Sequence, residues 1–143
     1  MKKMNKKVFY GALAIITIIL VAFLFFSRKG TVNEQEWNSI EKGMSVTDVE
    51  KSIGKPKIIV DNNAEISDNV YSNYKVLYEV NSVVENSDIE RRMTELDEIY
   101  NASESDRNVK QYTYNVKSKN SKREAEIYFV GGVVKHVSRS EEE

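Results

Sequence analysis

The chain has 143 residues, 41% of them hydrophobic and 30% charged, with a formal net charge of -1, one His, one Pro and no Cys. That length holds one small domain and an accessory segment, not two full domains. The absence of Cys excludes a disulfide framework, a thiolate metal site, a Cys nucleophile and an acylated-Cys lipid anchor, and one His leaves little for His-based metal or acid–base chemistry.

The charge averages two unlike parts. Before Gly30 stand Lys2, Lys3, Lys6, Lys7, Arg28 and Lys29 with no acidic residue, which leaves fifteen Lys and Arg against all 22 Asp and Glu in the remainder, a balance of -7. Between those cations Val8 to Phe26 carries no charge. As a helix it would cover about 28 Å, close to the ~30 Å hydrocarbon core of a bilayer. Its exit, Phe23-Leu24-Phe25-Phe26, lacks the small residues that signal cleavage requires. The segment 8–26 is therefore expected to be a retained, single-pass transmembrane helix. The heavier basic flank puts residues 1–7 in the cytoplasm, with 27–35 as a tether and everything beyond outside the cell membrane.

The next stretch carries the densest local signals. Glu34 to Ile40 reads as a short helix with Trp37 and Ile40 on one side, broken by Gly43. Ser45 and Asp48 form a capping box ahead of Val46, Val49 and Ile53 on one helical face, and Gly54 and Pro56 end that helix. Together they predict an αα-hairpin.

Val70 to Val80 alternates Val70, Ser72, Tyr74, Val76, Tyr78 and Val80 with a second set, a strand pattern. Ser87-Asp88-Ile89-Glu90 is a further capping box, followed by Ile89, Met93, Leu96 and Tyr100 at helical spacing. It predicts an amphipathic helix over Asp88 to Asn101 whose stripe packs on the sheet or docks a partner helix. Val109 to Lys117, Glu124 to Val130 and Val133 to Ser138 read as strands, the last two joined by the Gly131-Gly132 hairpin turn. That register sets Ile127 opposite His136, so the histidine belongs on the Ile127, Phe129 and Val134 face in a structural role. The fold class expected is α+β: an αα-hairpin on an antiparallel sheet, with an insertion over about 61–106, within a domain of 36–140 and before an acidic tail of 141–143.

The basic residues between Arg107 and Arg123 cluster at one turn, where Lys117, Lys119, Lys122 and Arg123 form a candidate contact for an anionic wall polymer or lipid. Nucleic acid is not an expected partner of so acidic a domain. No phosphate loop, zinc helix or nucleophile elbow is present, and the calcium-like spacing of Asp61, Asn63 and Glu65 lacks its Gly and its bidentate Glu. No catalytic residue, cofactor or metal is expected. A hydrolase built on two carboxylates is the minority reading.

Trp37, Ile40, Gly43, Met44, Ser45, Val49, Ile53, Gly54 and Pro56, with Ala125, Ile127, Phe129, Gly131, Gly132 and Val134 far downstream, form a pattern that resembles the BamE (SmpA/OmlA) family. The resemblance implies two helices on a small antiparallel sheet, as in the related β-lactamase inhibitor protein fold, and binding or assembly in place of catalysis. The chain departs from the family in having no lipobox Cys and in the 61–106 insertion. The function expected is thus a non-catalytic envelope module that binds a protein partner.

Overall fold

The computed structural model describes residues 14–19 and 30–139. Among the described residues no helix is long and apolar enough to cross a membrane. This overturns the expected transmembrane helix 8–26, of which residues 14–19 are described. The rest of Val8 to Phe26, the basic 1–7 segment and the tail 141–143 lie outside the described residues. The single-pass anchor, the cell-membrane location with a cytoplasmic N-terminus and an extracytoplasmic domain, and the integral membrane partnership rested on that helix and fall with it.

The domain begins earlier than the expected boundary, because part of the supposed tether is strand β1 (Thr31–Asn33), paired in parallel with β3 (Val109–Lys117). Strand β2 (Ile58–Val60) runs antiparallel along the same edge of β3. Gly30 makes the join between them possible. It sits at φ 68°, and a Cβ there would meet the Lys57 backbone nitrogen at 2.2 Å. On its other side β3 pairs with β4 (Lys122–Val130), and β4 with β5 (Val133–Val137), both antiparallel. The outer side of β5 is covered by the Gly43–Val46 segment: Gly43 N–H donates to the Val134 carbonyl, Val134 N–H to that of Met44, and Val46 N–H to that of Gly132.

The two sheet faces carry different helices. On one lie α1 (Glu34–Asn38) and α2 (Val46–Ile53), each with a capping box at its start. Trp37, Ile40, Val49 and Ile53 pack there on Tyr112, Tyr114, Ile127 and Phe129. Gly54 ends α2 at φ 79°, and its carbonyl accepts from the Tyr114 hydroxyl at 2.8 Å.

The other face carries a long helical hairpin, α3 (Asn63–Asn81) and α4 (Ser87–Glu104). The second helix agrees with its expected position. The first replaces the expected strand over Val70 to Val80. Asn62 caps it, its Oδ1 accepting the Glu65 N–H at 3.1 Å, and Ile66 and Val70 fall one turn apart on the buried side. The alternation that suggested a strand puts Val76, Tyr78 and Val80 outside, at 60%, 59% and 43% exposure. Ile66, Val70, Leu96 and Ile99 pack on Val60, Val109 and Tyr128 of the sheet. The result is a small α+β domain of three layers, with a mixed sheet between two pairs of helices.

Candidate functional site

A cleft of about 950 Å³ is bounded by the first half of α4, the outer end of β5 with the segment after it, the β3–β4 turn and the α1 region. Local chemistry explains its walls. Asp88, Arg91, Arg92 and Glu95 are spaced at i, i+3, i+4 and i+7, so α4 presents all four on one side, next to the stripe that Ile89 and Leu96 bury in the interior.

His136 reaches the cleft because of one extra residue. Val134 stands opposite Phe129, but His136 stands opposite Tyr128, so Lys135 bulges out of the β4–β5 ladder. A bulge inverts the inside–outside alternation beyond it. The expected pair of His136 with Ile127 is corrected accordingly: Ile127 faces Val137, and His136 lies on the helical-hairpin side, 3% exposed.

There the imidazole Nδ1 is 2.7 Å from Glu95 Oε2. The other carboxylate oxygen, Oε1, accepts from Arg91 Nη1 at 2.5 Å and from Lys42 Nζ. Asp88 in turn binds Arg91. Burial alone would raise the Glu95 pKa, but the hydrogen bonds and charges of His136 and Lys42 outweigh it and bring the carboxyl down to about 2. Beneath the pair, burial and the nearby Glu126 push the Tyr128 phenol far up; its hydroxyl donates to Glu126 and accepts from Asn73 at 3.1 Å. Burial and Glu50 push Tyr112 up to about 12.

No family model, no curated protein and no solved structure matches this chain. The site is therefore read from its own geometry.

Two more arginines converge on the dipeptide Ser138-Arg139, which contributes a third. Arg123 Nη1 lies 3.5 Å from the Ser138 carbonyl, which also accepts the Trp37 indole N–H at 3.1 Å. Arg92 Nη2 lies 3.4 Å from the Arg139 carbonyl, and Arg139 itself donates to Asn38 Oδ1 at 3.0 Å and to the Ile40 carbonyl at 2.6 Å.

The residues singled out from the sequence separate in space. Lys117, Lys119 and Lys122 are exposed on the β3–β4 turn, while Arg123 is half-buried and turned into the cleft. Of the helical stripe, Ile89 and Leu96 are buried and Met93 and Tyr100 half-buried, so most of it is covered by the chain itself. Trp37, Met44 and Phe129 belong to the aromatic core; Ser45 caps α2, Pro56 is buried beyond Gly54, and Gly131 and Gly132 form the turn at φ 62° and 82°. The residues not anticipated are Lys42, Arg91, Arg92, Glu95, His136 and Arg139. The charge spacing on α4 was a usable signal for four-residue neighbours on one helix side, but nothing local pointed to β5 as the surface it faces.

Proposed function

We propose that this domain is a non-catalytic binding module that docks a protein partner at the α4–β5 cleft. The observation that carries this reading is the cleft itself: a polar depression walled by hydrogen-bonding side chains and by charges that hold one another, Glu95 being engaged by Lys42, Arg91 and His136. Glu95 remains ionised, holds three donors and is too weak a base for general catalysis near neutral pH, and the buried tyrosines keep their protons. The BamE-like reading supports binding in the same sense. Its two separated sequence segments lie against each other, the Gly43–Val46 turn along the Gly132–Val134 edge of β5.

Site-specific photocrosslinking in cells tests it. A crosslinker at Asn86 or Ser121, both at the cleft, should trap one discrete protein species, whereas one at Thr47, exposed on the opposite helical layer, should not. Equal labelling at all three positions, or none at the cleft, would remove the cleft from the binding reading.

A further inference from the structure

The cleft holds a surplus of positive charge inside an acidic domain. Of its three carboxylates Glu34, Asp88 and Glu95, the last two are engaged by Arg91, Lys42 and His136. Arg139 bonds only to the neutral acceptors Asn38 and Ile40 in the contacts above, and Arg123 is held by one long bond to Ser138, with the charge of Glu34 acting on it. The Arg123 and Arg139 guanidinium groups line the same cleft, and Arg92 reaches the Arg139 carbonyl beside them. Arg123 and Arg139 each retain N–H donors in the planar fork that matches two oxygens of one anion. A bound oxyanion would give both groups a charged acceptor in place of neutral ones.

The size and lining of the cleft narrow the carrier. About 950 Å³ is far larger than a lone inorganic ion needs, and suits a side chain with a few residues of backbone. Only Ile40 and Val137 in the lining are apolar, too little surface for an acyl chain, whereas Asn38, Asn86, Ser118 and Ser121 offer both donors and acceptors to a peptide. Residues 30–139 carry fifteen Lys and Arg against nineteen Asp and Glu, a balance of -4 that repels anions elsewhere, so attraction is focused here.

Resting on the binding reading above, we infer that the cleft captures a carboxylate or phosphate carried on a peptide side chain, gripped by Arg123 and Arg139 with Arg92 beside them. Arg91, Lys42 and Glu95 form the fixed wall that holds α4 in place and are not the grip.

Fluorescence anisotropy of short labelled peptides tests this. One series carries three Glu, one a phosphoserine, and one the neutral Gln and Ser counterparts, with inorganic phosphate as competitor. It is run on the full chain and on a form ending at Arg139, because Ser140-Glu141-Glu142-Glu143 follows Arg139 directly and brings its own carboxylates. Either anionic peptide should bind saturably and be displaced by phosphate, and the neutral ones should not; the stronger of the two identifies the source of the oxyanion. Arg123→Gln should weaken binding by about tenfold or more, and Arg123→Lys, which keeps charge but loses the fork, by most of that factor. The pair Lys117→Gln and Lys119→Gln should change it less than threefold. Because Arg139 also ties the α1 region to the chain end, R139Q is read only alongside a thermal melt, and R123Q carries the decision. Absence of binding to both anionic peptides in both chain forms overturns the inference, as do equal binding of the neutral peptides and an equal effect of the turn lysines. If cleft crosslinks to a protein persist unchanged in R123Q, the oxyanion grip fails while the binding module stands.

Discussion

The two faces of the sheet are built on different principles. The α1–α2 face is closed by aromatics in mutual contact: Trp37 against Tyr114 at 5.8 Å between centroids, and Tyr112 edge-on to Phe129 at 4.9 Å. The α3–α4 face is sealed near its centre by aliphatic side chains around a single fully buried aromatic, Tyr128. Around them Asn69 donates to Gln111 at 2.9 Å, Asn73 reaches Glu126 and Tyr128, and the His136–Glu95 pair opens into the cleft. The first face holds the fold together, and the second combines stability with a surface that polar partners can reach. Incomplete apolar closure is the structural condition for a charged site beside a core.

The largest expected effect lies on the closed face. Trp37 is fully buried and its indole N–H is bonded, so Trp37→Ala removes contacts with Tyr114 and leaves the Ser138 carbonyl with only the long bond from Arg123. A loss of about 3–5 kcal/mol in urea unfolding is expected. A loss below about 1 kcal/mol would show that this face is not the closed one.

On the open face the contrast appears as acid sensitivity. Glu95 has a folded pKa near 2, below the 4.5 of a free Glu. Its contribution is therefore fully present above about pH 4.5 and is lost as pH falls from 4.5 toward 2. Glu95→Gln should flatten the acid limb of the stability curve in that window and lower stability at neutral pH by less than Trp37→Ala does. An acid limb identical to wild type would mean that the ion cluster contributes nothing to folding.

This contrast also explains what was legible in the sequence. Helix α2 was readable because Ser45, Asp48 and Gly54 act within a turn of their own positions, and the Gly131-Gly132 turn because two positive φ values demand those residues. Helix α3 was not. Val70, Tyr74, Val76, Tyr78 and Val80 satisfy a period of two, and Ile66, Val70, Tyr74 and Leu77 a helical one; the choice rests on the Asn62 cap and on packing against α4, which lies across a turn in the chain. The transmembrane reading relied on the length and apolarity of 8–26, its basic flanks and its bulky exit, and no helix among the described residues is long and apolar enough to cross a membrane. The cleft was hidden more deeply still. Its His136–Glu95 contact depends on a bulge at Lys135, a single-residue slip with no sequence signature, and its arginines come from α4, β4 and the end of β5.

A smaller effect is expected within the polar ring of the open face. Tyr128→Phe removes one hydroxyl, but Asn73 and Glu126 keep their direct 2.9 Å bond, so neither is stranded. A cost of about 1 kcal/mol is expected in urea unfolding. A cost above 3 kcal/mol would mean that the three groups act as one cooperative network and that the open face is as tightly determined as the closed one.

The smallest effect belongs where the hairpin passes beyond the sheet. In its first half α3 buries Ile66 and Val70, but Val76, Val80 and Val83 are 60%, 43% and 83% exposed. Exposed apolar side chains lose little transfer free energy on becoming polar, so Val80→Ser should shift stability by no more than about 0.5 kcal/mol. Measuring the unfolding midpoint at two protein concentrations a hundredfold apart makes the result decisive. A cost above 1 kcal/mol that appears only at the higher concentration would show that these valines are covered by another molecule, which would make the outer half of the hairpin a third packing surface. A small cost at both concentrations confines the domain's stability to the part of the hairpin that lies over the sheet.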